Sequence, residues 1–257
     1  MRLTAAIVTY NNDQRILKEA IDSFLDTELV IKLFIIDNSP EDSIRVLLTD
    51  SRIEYIFNNA NLGFGKAHNI GIKLSQACSA EYHLVLNPDV YFSKGTLEKI
   101  YFFLNAHPEY GLLMPKVIYP NGETQYLCKN PPSLSTLILR RFMPNGIRKL
   151  FKKKLDKFEY RDHNYDSIIE NVPYLSGCFM FFRNETLKKV GGFDERIFMY
   201  MEDADITYRT LSYAKTVYYP EATITHHFAK GSYKNFKLMY YNIEGAFIYF
   251  KKWGLKF

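Results

Sequence analysis

The sequence predicts an α/β protein, with a mostly parallel central sheet, helices on both faces and a C-terminal helical segment. Three observations predict it. Short apolar runs alternate with helix-period segments through the first 90 residues, a polar cluster closes each of the first four runs, and the 257 residues are 47% hydrophobic and 24% charged. That composition and length bury one large core or two coupled lobes. Strict alternation of strand and helix implies right-handed crossovers and a ligand crevice beyond the carboxyl ends of the strands.

The elements follow in order. Residues 3–9 form a first apolar run, 13–24 a helix, 33–36 a second run, 43–48 a helix and 53–57 a third run. A helix over 66–76, a strand over 83–86, a helix over 94–105 and a strand over 111–118 continue the pattern. Between 121 and 171 the pattern is irregular, broken by Pro131-Pro132, and reads as an inserted segment facing an acceptor. Regularity returns with a strand over 174–182, a helix over 185–190, a helix opening near Glu202 and a strand over 216–219, and an aromatic, basic helix over about 235–253 ends the chain.

The polar ends of the runs are Thr9-Tyr10-Asn11-Asn12, Asp37-Asn38-Ser39, Asn58-Asn59 and Asn87-Pro88-Asp89. Each one alone is an ordinary turn. Together they converge on one crevice.

Composition excludes several classes. No stretch reaches the roughly 18 apolar residues that span a bilayer, and residues 3–9 are too short for a signal segment, which places the protein in the cytoplasm. Cys78, Cys128 and Cys178 are odd in number and form no CxxC, so neither a disulfide framework nor a zinc site is indicated. The net charge is +5, but residues 140–157 hold eight cations (Arg140, Arg141, Arg148, Lys149, Lys152, Lys153, Lys154, Lys157) against Asp156. That run is either a solvated loop or a patch for the phosphates of anionic lipid or of a lipid-linked acceptor.

Asn61-Leu62-Gly63-Phe64-Gly65-Lys66-Ala67-His68-Asn69-Ile70-Gly71 first suggests a phosphate loop. His68 stands where the dinucleotide fingerprint needs Gly, while Ala60 and Ala67 spoil the P-loop pattern. What remains is a glycine-relaxed loop feeding a helix N-terminus, suited to a nucleotide or diphosphate. Asp89, ending an apolar run, is the type of oxygen ligand that Mg²⁺ or Mn²⁺ takes. Glu202, Asp203 and Asp205 open a helix; Asp205 has the favourable i,i+4 order with Arg209, a structural role. Glu202 and Asp203 follow the aromatic, Met-rich Phe198-Met199-Tyr200-Met201, which could desolvate a carboxylate and raise its pKa as a general base requires. His226-His227 is a metal-site candidate if Asp89 lies nearby.

In this order the clusters resemble family 2 glycosyltransferases of the GT-A fold, which is built on a Rossmann-like sheet. The matching residues are Ile7-Val8-Thr9-Tyr10-Asn11, Ile36-Asp37-Asn38-Ser39, Asn61 to Gly71, Leu86-Asn87-Pro88-Asp89, Ser176-Gly177-Cys178-Phe179, Gly192-Phe193-Asp194-Glu195, Glu202-Asp203-Ala204-Asp205 and His226-His227. The resemblance implies a nucleotide-sugar-binding half over 1–120 and an acceptor-binding and catalytic half over 121–257. It implies Thr9, Tyr10 and Asp37 around base and ribose, with Asn11, Asn61, Gly63, Lys66, Asn69, Asn87 and Asp89 completing the nucleotide-sugar site. It also implies Asp203 as catalytic base, Asp89 and His227 at a divalent metal (Mg²⁺ or Mn²⁺), and Glu202, Gly177 and Cys178 on the acceptor side.

Asn87 departs from the family, whose motif usually begins with Asp, so metal affinity should be lower and a metal-independent reaction stays open. The Asn-Pro-Asp version, with Ser-Gly-Cys-Phe and Phe-Met-Tyr-Met-Glu-Asp downstream, resembles bacterial rhamnosyltransferases of surface-polysaccharide assembly. That implies dTDP-rhamnose as donor, a polyprenyl diphosphate-linked saccharide as acceptor and a peripheral position at the inner membrane face. There the basic run and the tail Lys251-Lys252-Trp253-Gly254-Leu255-Lys256-Phe257 would meet anionic lipid. A homo-oligomer through the C-terminal helix is the competing use of that tail. A nucleotidyltransferase lacks its basic glycine-rich loop here, and a non-catalytic membrane or nucleic-acid module leaves the acidic clusters unexplained; no nucleic-acid partner is expected.

Overall fold

The computed structural model describes residues 2–228 and 236–255. Its main sheet begins with four parallel strands, β1 (Leu3–Thr9), β2 (Ile31–Asp37), β3 (Ile53–Phe57) and β4 (Tyr82–Leu86). Between them run α1 (Gln14–Leu25) and α2 (Phe64–Ala77). β5 (Val90–Tyr91), α3 (Thr96–Ala106) and β6 (Tyr110–Ile118) follow. Then come β7 (Cys128–Lys129), α4 (Leu134–Phe142), α5 (Asn145–Leu150), α6 (Lys152–Phe158) and β8 (Ile169–Glu170). β9 (Tyr174–Leu175), β10 (Phe179–Arg183), α7 (Asn184–Val190), α8 (Glu202–Thr210), β11 (Lys215–His226) and α9 (Phe236–Trp253) complete the order. The strands lie in the order β3-β2-β1-β4-β10-β6-β11-β5, with β8 also on β11 and β7 paired to β9 in a second small sheet. β10 runs antiparallel to both neighbours, and the short β5 and β8 run antiparallel to β11, so the sheet is mostly parallel with one reversed strand in its middle and two short ones on β11.

Local chemistry fixes these elements. β1 and β4 are buried almost throughout, as strands covered on both faces must be. Asp13 caps α1, its Oδ1 accepting from Arg15 N at 2.9 Å, and Leu17, Ala20, Ile21 and Phe24 turn one helix stripe into the core. Register then aligns the polar ends: Thr9 lies opposite Asp37, Asp37 opposite Phe57, and Ile7 opposite Leu86. The four clusters therefore share one edge of the sheet.

Several expectations are corrected. Residues 43–48 make only a three-residue 3-10 turn at Arg45–Leu47, because Val46 and Leu47 face solvent and a short helix without a buried stripe does not repay its nucleation. The supposed strand over 174–182 divides at Ser176-Gly177-Cys178: β9 joins β7, while β10 enters the main sheet. The stretch 121–171 is not irregular, since the basic run is carried by α4, α5 and α6. The strand expected over 216–219 extends to His226 through a register shift between Tyr219 and Thr223.

α9 lies over α8. Trp253 points inward rather than to a membrane, its ring 4.7 Å edge-on from Tyr208 and its Nε1 donating to Asp205 Oδ1 at 2.9 Å. Lys256 and Phe257 lie outside the described residues. No helix among the described residues is long and apolar enough to cross a membrane.

Candidate functional site

At the end of β2 the Asp37 carboxylate is fully buried and holds three donors: Thr9 Oγ1 (2.9 Å) and Ser39 N (2.9 Å) on Oδ1, and Tyr55 OH (2.8 Å) on Oδ2. Burial, then the carboxylates of Asp42 and Asp37, push the Tyr55 phenol up and keep it a donor. Thr9 and Asp37 thus tie the strand ends together. Tyr10, 49% exposed, and Asn11, with a left-handed φ of 51° and its N–H on Ser39 Oγ, are what this corner presents to a ligand.

Asn38 links that corner to the glycine loop. Its Oδ1 accepts from Asn58 Nδ2 at 2.9 Å and its Nδ2 donates to Gly63 O at 3.1 Å, a bridge that the Asp-Asn-Ser cluster contained but did not announce. Asn61 Oδ1 accepts from Gly63 N at 3.0 Å. Gly63 has a φ of 80°, and a Cβ there would stand 2.3 Å from Phe198 O, so only glycine fits. Phe64 N donates to the same Phe198 O at 2.9 Å. Asn61 and Lys66 stay exposed at the mouth of the loop. Asn69 instead faces inward: it accepts from Phe193 N (2.8 Å) and donates to Phe193 O (3.0 Å) and Glu195 Oε1 (3.0 Å), pinning the Gly192-Phe193-Asp194-Glu195 turn to α2.

The acids of α8 meet this loop through the β9–β10 turn. Asp203 Oδ2 accepts from Gly177 N at 3.1 Å and Oδ1 from Ala204 N at 2.9 Å, and the carboxylate remains partly open. A Cβ on Gly177 would lie 3.3 Å from Asp203 Cβ and 3.4 Å from Phe64 Cζ, so glycine loop, turn and carboxylate converge at one point. The Met-rich desolvation expected for this pair falls on Glu202. Its carboxyl is buried with Oε2 unpartnered among the described residues; burial first, then the Asp203 charge, drives its pKa well above the usual carboxylate range. Asp205 is structural as expected, fully buried and bound by Arg209 Nε (2.8 Å), Lys252 Nζ (2.7 Å) and Trp253 Nε1 (2.9 Å).

Sequence reasoning did not find Tyr174 and Lys129, which have no motif around them. Burial, then Asp203, raises the Tyr174 phenol well above its ordinary value, and buried Lys129 sits 4.5 Å over the Tyr174 ring with its pKa lowered by burial and by Arg140.

Asn87 N donates to Cys178 O at 2.9 Å, bringing Cys178 beside the Asn-Pro-Asp turn. The imidazole facing Asp89 is that of His226, with Nε2 at 3.4 Å from Oδ1, while His227 Nε2 lies 3.0 Å from Glu19 Oε2 and only its backbone N–H reaches Asp89 O. Gln125 fixes His226 through Nδ1 (3.0 Å) and the carbonyl (2.7 Å). Burial would lower the His226 pKa, but Cys178 and Asp89 push it up to about 10; burial would raise Asp89, but His226 holds it below its usual value. A carboxylate, with an imidazole that gives up its proton on binding, suits a cation that keeps waters and takes its remaining ligands from a diphosphate. Among the described residues no third His, Cys, Asp or Glu joins them in a ligand cluster.

The model of the family described as glycosyl transferase family 2 matches residues 4–191. An N-acetylglucosaminyl-diphospho-decaprenol L-rhamnosyltransferase of Mycobacterium tuberculosis is 28% identical over 237 residues, covering 88% of this chain and 76% of that one. A low-salt glycan biosynthesis hexosyltransferase, Agl10, of Haloferax volcanii is 25% identical over 181 residues, or 70% and 53%. Among solved structures, GalNAc-T7 with UDP, GalNAc and Mn²⁺ superposes with a TM-score of 0.65 at 13% identity, over 88% of this chain and 43% of that one. S. aureus TarS 1–349 in complex with UDP gives 0.58 at 16%, over 95% and 65%. The chain spans less than half of the first structure and just under two thirds of the second; these two likenesses carry the fold, which is GT-A.

Proposed function

The chain belongs to glycosyl transferase family 2, and from that premise we propose that it moves L-rhamnose from dTDP-rhamnose to a hydroxyl of a saccharide on a polyprenyl diphosphate, with inversion, in bacterial surface-polysaccharide assembly. That it is a glycosyltransferase follows from the family; the donor sugar and acceptor rest on the likeness to the mycobacterial L-rhamnosyltransferase. The observation that carries the reading is the meeting of Asp203, Gly177 and Phe64, which sets an open carboxylate against the loop that receives the donor.

The acceptor oxygen attacks the anomeric carbon as its proton passes to Asp203. The bond from that carbon to the diphosphate oxygen breaks, and its electron pair leaves with dTDP. The Gly177 N–H orients Asp203, and burial and the Asp203 charge favour the neutral form of Glu202 beside it. Asp89 and His226 would hold a divalent cation, which when bound supplies charge neutralisation for the departing diphosphate.

Peripheral membrane attachment is part of the reading. Phe236, Tyr240, Ile243 and Phe247 are exposed at i, i+4, i+7 and i+11 on α9, and Leu150 is 82% exposed in the basic segment. Phe158 of α6 and Leu134 and Leu137 of α4 pack with Tyr249 and Phe250, so the basic helices and α9 adjoin. Apolar stripe and cations together suit an anionic interface.

A thermal-shift screen of nucleotide diphosphate sugars, with and without manganese, tests the donor. Stabilisation by dTDP-rhamnose above UDP- and GDP-sugars is expected. A preference for another nucleotide sugar overturns the rhamnose assignment.

A further inference from the structure

Between α4, α5 and α6 lies a cavity of about 410 Å³ that the donor site does not use. Five cations line it: Arg140, Arg148, Lys149, Lys152 and Arg161. Against them stand Asp156 and Glu159, so the lining carries a formal excess of three positive charges (five minus two). The two acids are partly spent in holding the walls. Glu159 accepts from Arg161 Nε at 2.8 Å and lies 3.5 Å from Arg140 Nε, and Lys152 pairs with Asp156.

Arg148 is anchored by its Nη2 on Arg140 O, yet its Nε is buried with no partner among the described residues. An unsatisfied guanidinium N–H beside an excess of positive charge calls for an oxyanion, because a buried charged donor left without an acceptor has lost its water and gained nothing in return. Ile147, Leu150 and Phe151, interleaved in sequence with these cations on α5 and at its end, are exposed, and Leu155 is the apolar residue of the lining. A free anion would gain nothing from exposed apolar side chains on the same helix, whereas an anion attached to a hydrocarbon chain would.

A chain of contacts leads from the cavity toward Asp203. Arg140 lies 5.3 Å over the Phe158 ring, and Phe158 packs with Tyr174, Met201 and Ala204, next to Asp203. Lys129, over Tyr174, is influenced by both Arg140 and Asp203.

We propose that this cavity receives the diphosphate of the lipid-linked acceptor, with the prenyl chain leaving over Ile147, Leu150 and Phe151 and the saccharide directed toward Asp203. The assignment rests on the lipid-linked-acceptor reading above. A phospholipid headgroup offers similar phosphoryl oxygens, so the test separates the two sources.

Farnesyl diphosphate, a soluble prenyl diphosphate, is titrated into the protein with dTDP filling the donor site. Lys149→Gln with Lys152→Gln, both exposed and so harmless to folding, should weaken its binding at least tenfold, and Arg148→Gln likewise. Lys73→Gln with Lys99→Gln, the same charge change on α2 and α3, should leave it unaltered. In turnover, the ratio of kcat/KM for a diphosphate-linked acceptor over an alkyl glycoside of the same sugar should fall at least tenfold in the Lys149/Lys152 variant. Equal farnesyl diphosphate affinity in wild type and variant overturns the proposal. So does a variant that loses binding only to phosphatidylglycerol-containing vesicles, since the cavity then reads a membrane headgroup. Absence of transfer to every lipid-linked acceptor sinks the function proposed above, while the titration still decides what the cavity binds.

Discussion

Gly245 of α9 lies against the carbonyl of Tyr200, so close that a Cβ on the glycine would stand 2.5 Å from that oxygen and 3.2 Å from Met199 O. Tyr200 and Met201 both have left-handed φ, 69° and 71°, immediately before Glu202 and Asp203. Such a conformation costs about 1–3 kcal/mol at each non-glycine residue and persists only when its surroundings enforce it. Met201 packs with Tyr249 and Phe250, the Tyr241 ring lies 4.2 Å from that of Phe198, and Phe198 O holds Phe64 N. α9 thereby braces one segment that joins the glycine loop to Glu202 and Asp203.

Gly245→Ala is therefore expected to lower both the melting temperature and kcat. Alanine favours a helix interior by about 1 kcal/mol, but overpacking against a fixed carbonyl costs about 1–3 kcal/mol, so the collision wins. Thermal melts and steady-state kinetics check this. A rise in melting temperature, the usual result at an exposed helical glycine, would show that the contact is slack.

The buried His68 predicts acid lability. Its ring lies 4.4 Å from Phe64 and 6.0 Å from Phe193, neither ring nitrogen has a partner among the described residues, and burial, then His83, lowers its pKa to about 3. The folded value is depressed below 6.5, so the unfolded chain binds the extra proton: stability is full above about pH 6.5 and falls as pH drops toward 3. His68→Leu should flatten unfolding free energy against pH between 4 and 6 by about 1.4 kcal/mol per pH unit. Denaturant melts across that range measure it; an unchanged slope would mean that His68 reaches water.

Much of this was legible in the sequence, and the losses have physical causes. The run 3–9 became a strand with those limits because burial on both faces leaves a nearly unbroken apolar run, whereas 53–57 did so as a half-buried strand at the end of the sheet. Gly177 stood among the candidates, but the strand break at it was hidden, because Tyr174 to Phe182 is apolar on both sides of it and nothing local says that the halves enter different sheets. Which histidine faces Asp89 depends on strand parity, and the register shift between Tyr219 and Thr223 resets that parity before His226. The helices between 121 and 171 bury little, so they left a weak period; Phe158 is the single fully buried side chain described in α6.

That parity yields a prediction about the cation. Asp89→Ala should abolish manganese enhancement of dTDP binding, and His226→Ala should do the same, because these two groups face each other at 3.4 Å. His227→Ala should keep most of it, since that imidazole pairs with Glu19. Calorimetry with titrated manganese reads all three. Loss in His227→Ala with retention in His226→Ala would place the other ring at the site, and manganese indifference of the wild type would mean a metal-free reaction.

The pair Glu202 and Asp203 gives the sharpest test. Asp203→Asn should lower kcat about 10²- to 10⁴-fold, the usual worth of a positioned base, with donor affinity nearly unchanged. The amide oxygen can still accept from Gly177 N, but its NH₂ then meets the Ala204 N–H that Oδ1 now accepts, so a stability loss of about 1 kcal/mol is expected beside the larger loss in turnover. Glu202→Gln is the control. Successive helix residues point about 100° apart, and burial favours the neutral Glu202 carboxyl, so an amide of the same shape is expected to change little in charge and nothing in reach. Turnover of Glu202→Gln should stay within a few-fold of wild type. Near wild-type turnover by Asp203→Asn would remove it as base, and equal large losses in both variants would mean that the two carboxyls share the proton.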